Sequence, residues 1–194
     1  MWSFYHLLLV LVLLVCLDHT SGSAAPTASP TNSACPSGYS ALSISGYSSI
    51  CTQFVTASSS ITQAAFNTLC SSSYNGGYLV QISNTATRDA LLTYVAGLQS
   101  ANNWNSDKDI WVGVQLTSAS TVGAKTAYSP YGTAQTSAYN VTSIFLPYST
   151  TALWVATNEP AAGDVSVSIQ FKNSGSLIKF KGRTSSDSKQ YGIW

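Results

Sequence analysis

Glu159 is the only glutamate in this chain of 194 residues, and both histidines, His6 and His19, stand near its start. Acid–base chemistry is therefore confined to few positions. Glycoside hydrolysis needs two carboxyl groups about 5 to 10 Å apart across the scissile bond. The candidate pairs are Glu159 with Asp164 and Asp107 with Asp109, each supported only by closeness in the sequence. Loss of the first 23 residues would leave no histidine at all. That excludes Ser-His-Asp and Cys-His catalysis and imidazole metal ligands. No glycine-rich phosphate loop follows a strand and opens a helix. The inventory suits a binding protein, not an enzyme.

That loss is expected. Leu7 to Leu17 is an unbroken apolar run of eleven residues, short of the roughly 20 that span a bilayer. Small residues follow at Ser21, Gly22, Ser23, Ala24 and Ala25, as at a signal-peptidase site. The run has only His6 before it where Lys or Arg is usual. Residues 1–23 read as a signal peptide, the product as secreted and extracellular, and no later apolar run is long enough for a membrane span. Residues 24–34, made of Ala, Ser, Thr, Pro and one Asn, read as a linker that can carry O-glycans. The domain is expected over 35–194. Asn140-Val141-Thr142 is the one N-glycosylation sequon, which makes Asn140 the candidate attachment site.

Roughly 170 residues are then enough to bury about 70% of the unfolded surface. Only 8% of the chain is charged while 45% is hydrophobic, which argues against disorder. Without Asp18, eight cations face six anions, a balance that does not mark a nucleic-acid binder. Once Cys16 is gone, Cys35, Cys51 and Cys70 remain, an odd number. Cys35 and Cys51 flank a stretch rich in Gly, Ser and Tyr that could be a hairpin. A bridge there would close a loop of about sixteen residues, worth roughly 3 kcal/mol. Cys70 is left either as a buried thiol or as a link between two chains.

The elements that must position these groups follow from periodicity. Ser58 to Ser60 can cap a helix from about Ile61 to Ser71, whose apolar face is Ile61, Ala64, Ala65 and Leu69. Tyr74-Asn75-Gly76-Gly77 is a turn, and Tyr78 to Ile82 alternates as a strand would. Asn84 or Thr85 can cap a second helix to about Leu98, with Asp89 early and Gly97 helping to end it. Ile110 to Leu116 reads as a central strand. Residues 165–171 alternate Val165, Val167, Ile169 and Phe171 with Ser166, Ser168 and Gln170, the pattern of a half-buried antiparallel strand. Leu177 to Phe180 and Tyr191 to Trp194 are shorter strand candidates, and residues 117–150 show no period. Early helices and late strands give an α+β class.

Four blocks in one order carry a resemblance. Cys35-Pro36-Ser37-Gly38-Tyr39, Phe66 to Cys70 followed by Gly77 to Ile82, Trp111-Val112-Gly113-Val114, and Glu159-Pro160 together resemble the C-type lectin-like domain over residues 35–194. The resemblance implies two helices packed on antiparallel sheets with a long loop region. It also implies that Cys70 would pair with a terminal cysteine, yet the chain ends Tyr191-Gly192-Ile193-Trp194. Sugar-binding members use Glu-Pro-Asn or Gln-Pro-Asp with a cis proline to face calcium. Here Glu159-Pro160-Ala161 keeps the first oxygen ligand and loses the second, and no Trp-Asn-Asp follows. Calcium is thus the candidate cofactor, with Glu159 and Asp164 as metal ligands and Asn158 and Asn173 as further oxygen donors. Six to eight oxygens are wanted, and five cations (Lys172, Lys179, Lys181, Arg183 and Lys189) crowd the tail against one acid, Asp187. Trp111 and Trp154 are expected in the core, not as sugar platforms.

The implied function is a secreted carbohydrate-binding protein whose dependence on calcium is doubtful. Its ligand-binding residues would be Glu159, Asn158, Asp164, Tyr128 and Tyr131, the tyrosines lying in a loop of small polar residues of the kind adaptable surfaces use. The alternative is a module on the same fold that binds an extracellular protein or matrix instead of a glycan. The tail cations are either a patch for acidic glycans or solvated strand edges.

Overall fold

Trp111 and Trp154 have no exposed surface, yet each satisfies its indole N–H. Trp111 donates to the Ile61 carbonyl at 2.9 Å and Trp154 to the Phe145 carbonyl at 3.1 Å. Both are core residues, as expected, and the fold is arranged around them. The computed structural model describes residues 35–73, 77–117, 119, 125–129, 139–148, 151–173 and 177–194. Ala34–Trp194 forms one compact unit. The signal peptide, the linker, Tyr131 and the turn at Asn75-Gly76 lie outside the described residues.

In chain order the elements are β1 (Ser40–Leu42), β2 (Ile50–Thr52), β3 (Phe54–Ile61), α1 (Gln63–Ser73), α2 (Thr85–Asn102), β4 (Lys108–Leu116), β5 (Ala127–Ser129), β6 (Tyr139–Asn140), α3 (Thr142–Phe145), β7 (Ser166–Lys172), β8 (Leu177–Arg183) and β9 (Lys189–Ile193). Strand β4 is the hub. It runs parallel to β9 and antiparallel to β5 and β7. Strand β3 pairs with β9, β6 with β5, and β8 with β7, all antiparallel. Strands β1 and β2 form a separate hairpin, closed by the disulfide between Cys35 and Cys51. Two early helices beside a largely antiparallel sheet give the expected α+β class.

Helix α2 begins where its cap predicts. The Asn84 side chain accepts from the Thr87 backbone N–H at 2.8 Å. Its end does not come at Gly97. The helix continues to Asn102 and stops at Asn103, whose left-handed φ of 49° breaks the run; Leu91 and Val95 are buried on its inner face. The start of α1 also differs from expectation. Ser58 to Ser60 belong to β3, and Thr62 caps the helix by accepting from the Ala65 N–H at 3.3 Å. Residues 77–83 are not a strand, because they meet the sheet only at isolated points. Val80 donates to the Ile193 carbonyl and accepts from Gly113, both at 2.8 Å.

Gln63, at the first turn of α1, reaches into the sheet. Its amide nitrogen donates to the carbonyls of Val112 at 2.7 Å and Val114 at 2.9 Å, where the pairing of β4 with β7 shifts register. Strand β7 is buried on both faces, not one: Ser166, Ser168 and Gln170 are covered along with Val167, Ile169 and Phe171. The polar face survives burial because Ser168 and Gln170 donate to Asp109 and Ser168 accepts from Arg183.

Candidate functional site

The segment after Trp154 folds as a series of tight turns ending in Glu159-Pro160, whose peptide bond is cis. Asp164 closes the next turn on itself: its carboxylate accepts from the Ala161 N–H at 2.5 Å, as Asp commonly does in turns. Glu159 points inward. One carboxylate oxygen accepts from the Gly182 N–H at 2.9 Å, and the other lies 4.0 Å from the Lys181 ammonium. The Asp164 carboxylate packs on the same glycine, so closely that a Cβ at Gly182 would overlap it. The pair expected from sequence is therefore brought together, over the end of β8.

Both acids are buried, and burial pushes both carboxyls above their ordinary range. For Glu159 the Gly182 N–H pulls back against this, while the charge of Asp164 adds to it. For Asp164 the Ala161 N–H and the Lys125 charge oppose the rise.

Lys125 is the residue that sequence reasoning missed. Only 2% exposed, it donates to the backbone oxygens of Asp164 at 2.6 Å, Ala162 at 2.9 Å and Thr117 at 3.4 Å. Burial lowers its pKa, and Asp164 partly restores it. The signal that could have found it is its isolation, since no other Lys or Arg occurs between Lys108 and Lys172. An ammonium caged by carbonyls does for this loop what a bound cation would do.

Calcium does not fit these residues. Among the described residues no three His, Cys, Asp or Glu side chains converge. An oxygen of each acid already accepts a backbone N–H, the second oxygen of Glu159 faces Lys181, and the carbonyls nearby hold Lys125. A divalent ion would find few oxygens and a neighbouring positive charge. Asn173 does not join the site, being tied to Asn105 and Asp107. Asn158 is exposed, Tyr128 is half-buried in β5, and Asn140 is exposed in β6.

The Asp107–Asp109 pair is divided between partners. Asp107 accepts from the Asn173 N–H, whereas Asp109 pairs with Arg183 and Lys189. Three of the five tail cations are accordingly not free. Lys181, Arg183 and Lys189 all sit beside carboxylates.

No family model matches the chain, and no curated protein matches it. Among solved structures it is similar to human lithostathine, at 19% identity over 88% of this chain and 96% of that one, with a TM-score of 0.49. It is also similar to the C-type lectin CEL-I from Cucumaria echinata, at 15% identity over 82% and 94% with a TM-score of 0.46. Botrocetin aligns at 15% identity over 82% and 96%, with a TM-score of 0.44. The two early helices and the largely antiparallel sheet centred on β4 give this chain an α+β architecture.

Proposed function

We propose that this chain is a secreted, non-catalytic recognition module that binds a carbohydrate without calcium. The observation that carries the reading is the Glu159 carboxylate, which accepts from the Gly182 N–H and is buried, so it is not free to bridge a metal and a sugar. Exposed residues next to it are uncharged, Thr157 and Asn158 among them, and the nearby cation Lys181 is beside Glu159. Amides and hydroxyls without net charge suit a neutral polyhydroxyl ligand, which asks for oriented hydrogen bonds more than for charge. Tyr128, half-buried in β5, is a further candidate contact, and Asn140, exposed in β6, would carry an N-linked glycan.

The second reading, an extracellular protein or matrix ligand on the same surface, is favoured by the mismatch with calcium. A glycan array probed with the purified chain, with and without a chelator, separates them. Binding of neutral glycans unchanged by chelator is the expected result. Binding that chelator abolishes contradicts the calcium-free site, and an array with no bound glycan in either condition leaves the protein-ligand reading in its place.

A further inference from the structure

A cavity of about 580 Å³ lies between the β1–β2 hairpin and residues 77–84, within the range of about 300 to 1,000 Å³ that holds drug-sized molecules. It shares no lining residue with the turn around Glu159. Ile44 and Ile50 form the hairpin wall, Tyr78 and Val80 the facing wall, and Cys70 and Trp194 also line it. The disulfide fixes the hairpin wall, since Cys51 belongs to it.

Two polar features narrow what would bind. No charged side chain lines the cavity among the described residues, so an ionic ligand would lose its hydration without gaining a partner. Gln81 also lines it, and the amide nitrogen of Gln81 is buried with no acceptor among the described residues. A buried amide donor left unpaired is costly, and an incoming acceptor would relieve that cost once the Gln81 side chain turns toward the cavity. The other amide on this wall, Asn84, is already used in capping α2.

We propose that this cavity is a binding site for a small neutral molecule with an apolar body and one carbonyl-type oxygen, seated between Ile50 and Val80, the oxygen accepting from the Gln81 amide as that side chain turns toward it. Binding is non-covalent, since the Cys70 thiol is buried and held protonated. Tyr47, which is 61% exposed at the rim, is the side chain placed to cover such a guest.

Nile red is a suitable probe, being neutral, apolar and equipped with one carbonyl. Titrated into the full chain, it should show saturable fluorescence enhancement at one site per molecule. Ile50→Trp, which fills the cavity, should weaken this by about tenfold or more, and Gln81→Leu by a smaller factor with the fold intact. If Ile50→Trp does not fold, Ser48→Trp at the rim supplies the same block. No saturable binding by the wild type, or binding unchanged in a folded blocking variant, overturns the proposal. Glycan binding is untouched by either result, because the two sites share no residue.

Discussion

Lys125 places its ammonium 2.6 Å from the backbone oxygen of Asp164, and so fastens the stretch after β4 to the turn after Pro160 with a charge that the chain itself supplies. The side chain of Asp164 in turn holds Ala161 and packs on Gly182. Cation, turn and strand end thus depend on one another.

Lys125→Met should therefore destabilise the domain by about 3 kcal/mol, because it strands buried carbonyls that had a charged donor. Urea unfolding followed by tryptophan fluorescence measures this as a lower midpoint with an unchanged slope. A midpoint equal to that of the wild type would show that the cage contributes nothing.

Calcium should not matter to stability. A ligand that binds only the folded state raises Tm by an amount that grows with the logarithm of its concentration above Kd, and the acids that would hold this ion are already engaged. Tm should agree within about 1 °C in millimolar calcium and in excess chelator. A clear rise with calcium would require Glu159 and Asp164 to turn outward.

Acidity should help the fold where it usually harms it. Burial raises the Glu159 and Asp164 carboxyls above their ordinary values of 4.5 and 3.8. A group whose folded pKa is raised stabilises most below its unfolded pKa, and that contribution disappears as pH rises through the folded value. Stability from this pair should thus increase as pH falls from 7 toward the unfolded values. Asp187 acts in the opposite sense: burial would raise it, but hydrogen bonds from Thr184 and the charges of Lys189 and Arg183 bring it below 3.8, so its contribution is lost only in stronger acid. Tm measured from pH 7 to 4.5 in wild type and in Glu159→Gln/Asp164→Asn tests this, the double variant having the flatter profile.

Gly182→Ala should cost about 2 to 4 kcal/mol, since the new methyl would overlap the Asp164 carboxylate and force either the turn or β8 to move. Heteronuclear NMR spectra should show the largest shift changes at Ala161 and Asp164.

Gln63→Leu should cost about 2 kcal/mol through the carbonyls of Val112 and Val114 that it leaves without their donor. Unfolding midpoints measure the loss, and hydrogen exchange should quicken along β4.

Much of the architecture was legible because its signals are local. Asn84 caps α2 as its residue type predicts, and the apolar run at Ile110–Leu116 is the central strand. Misreadings arose where a tertiary contact overrode a local pattern. Ser58 to Ser60 look like a helix cap, but they lie within β3, between Thr56 and Ile61, the points where that strand pairs with β9. The alternation in β7 suggests a wet face, yet Asp109 and Arg183, distant in sequence, cover it. Residues 78–82 alternate like a strand and bond to the sheet only at single points. At the site, Glu159 and Asp164 were legible as a pair because they are near neighbours. Lys125 was not, since its partners lie up to 39 positions away and no short motif encodes a carbonyl cage.

Cys70 has no disulfide partner and no exposed surface, and its thiol is pushed up to about 12. The molecule consequently carries a built-in gauge of its own opening. Although Cys70 lines the cavity beside the hairpin, it is fully covered at rest, so an alkylating reagent reaches its sulfur only when the packing around it opens, and the labelling rate reads the frequency of that excursion without any engineered reporter.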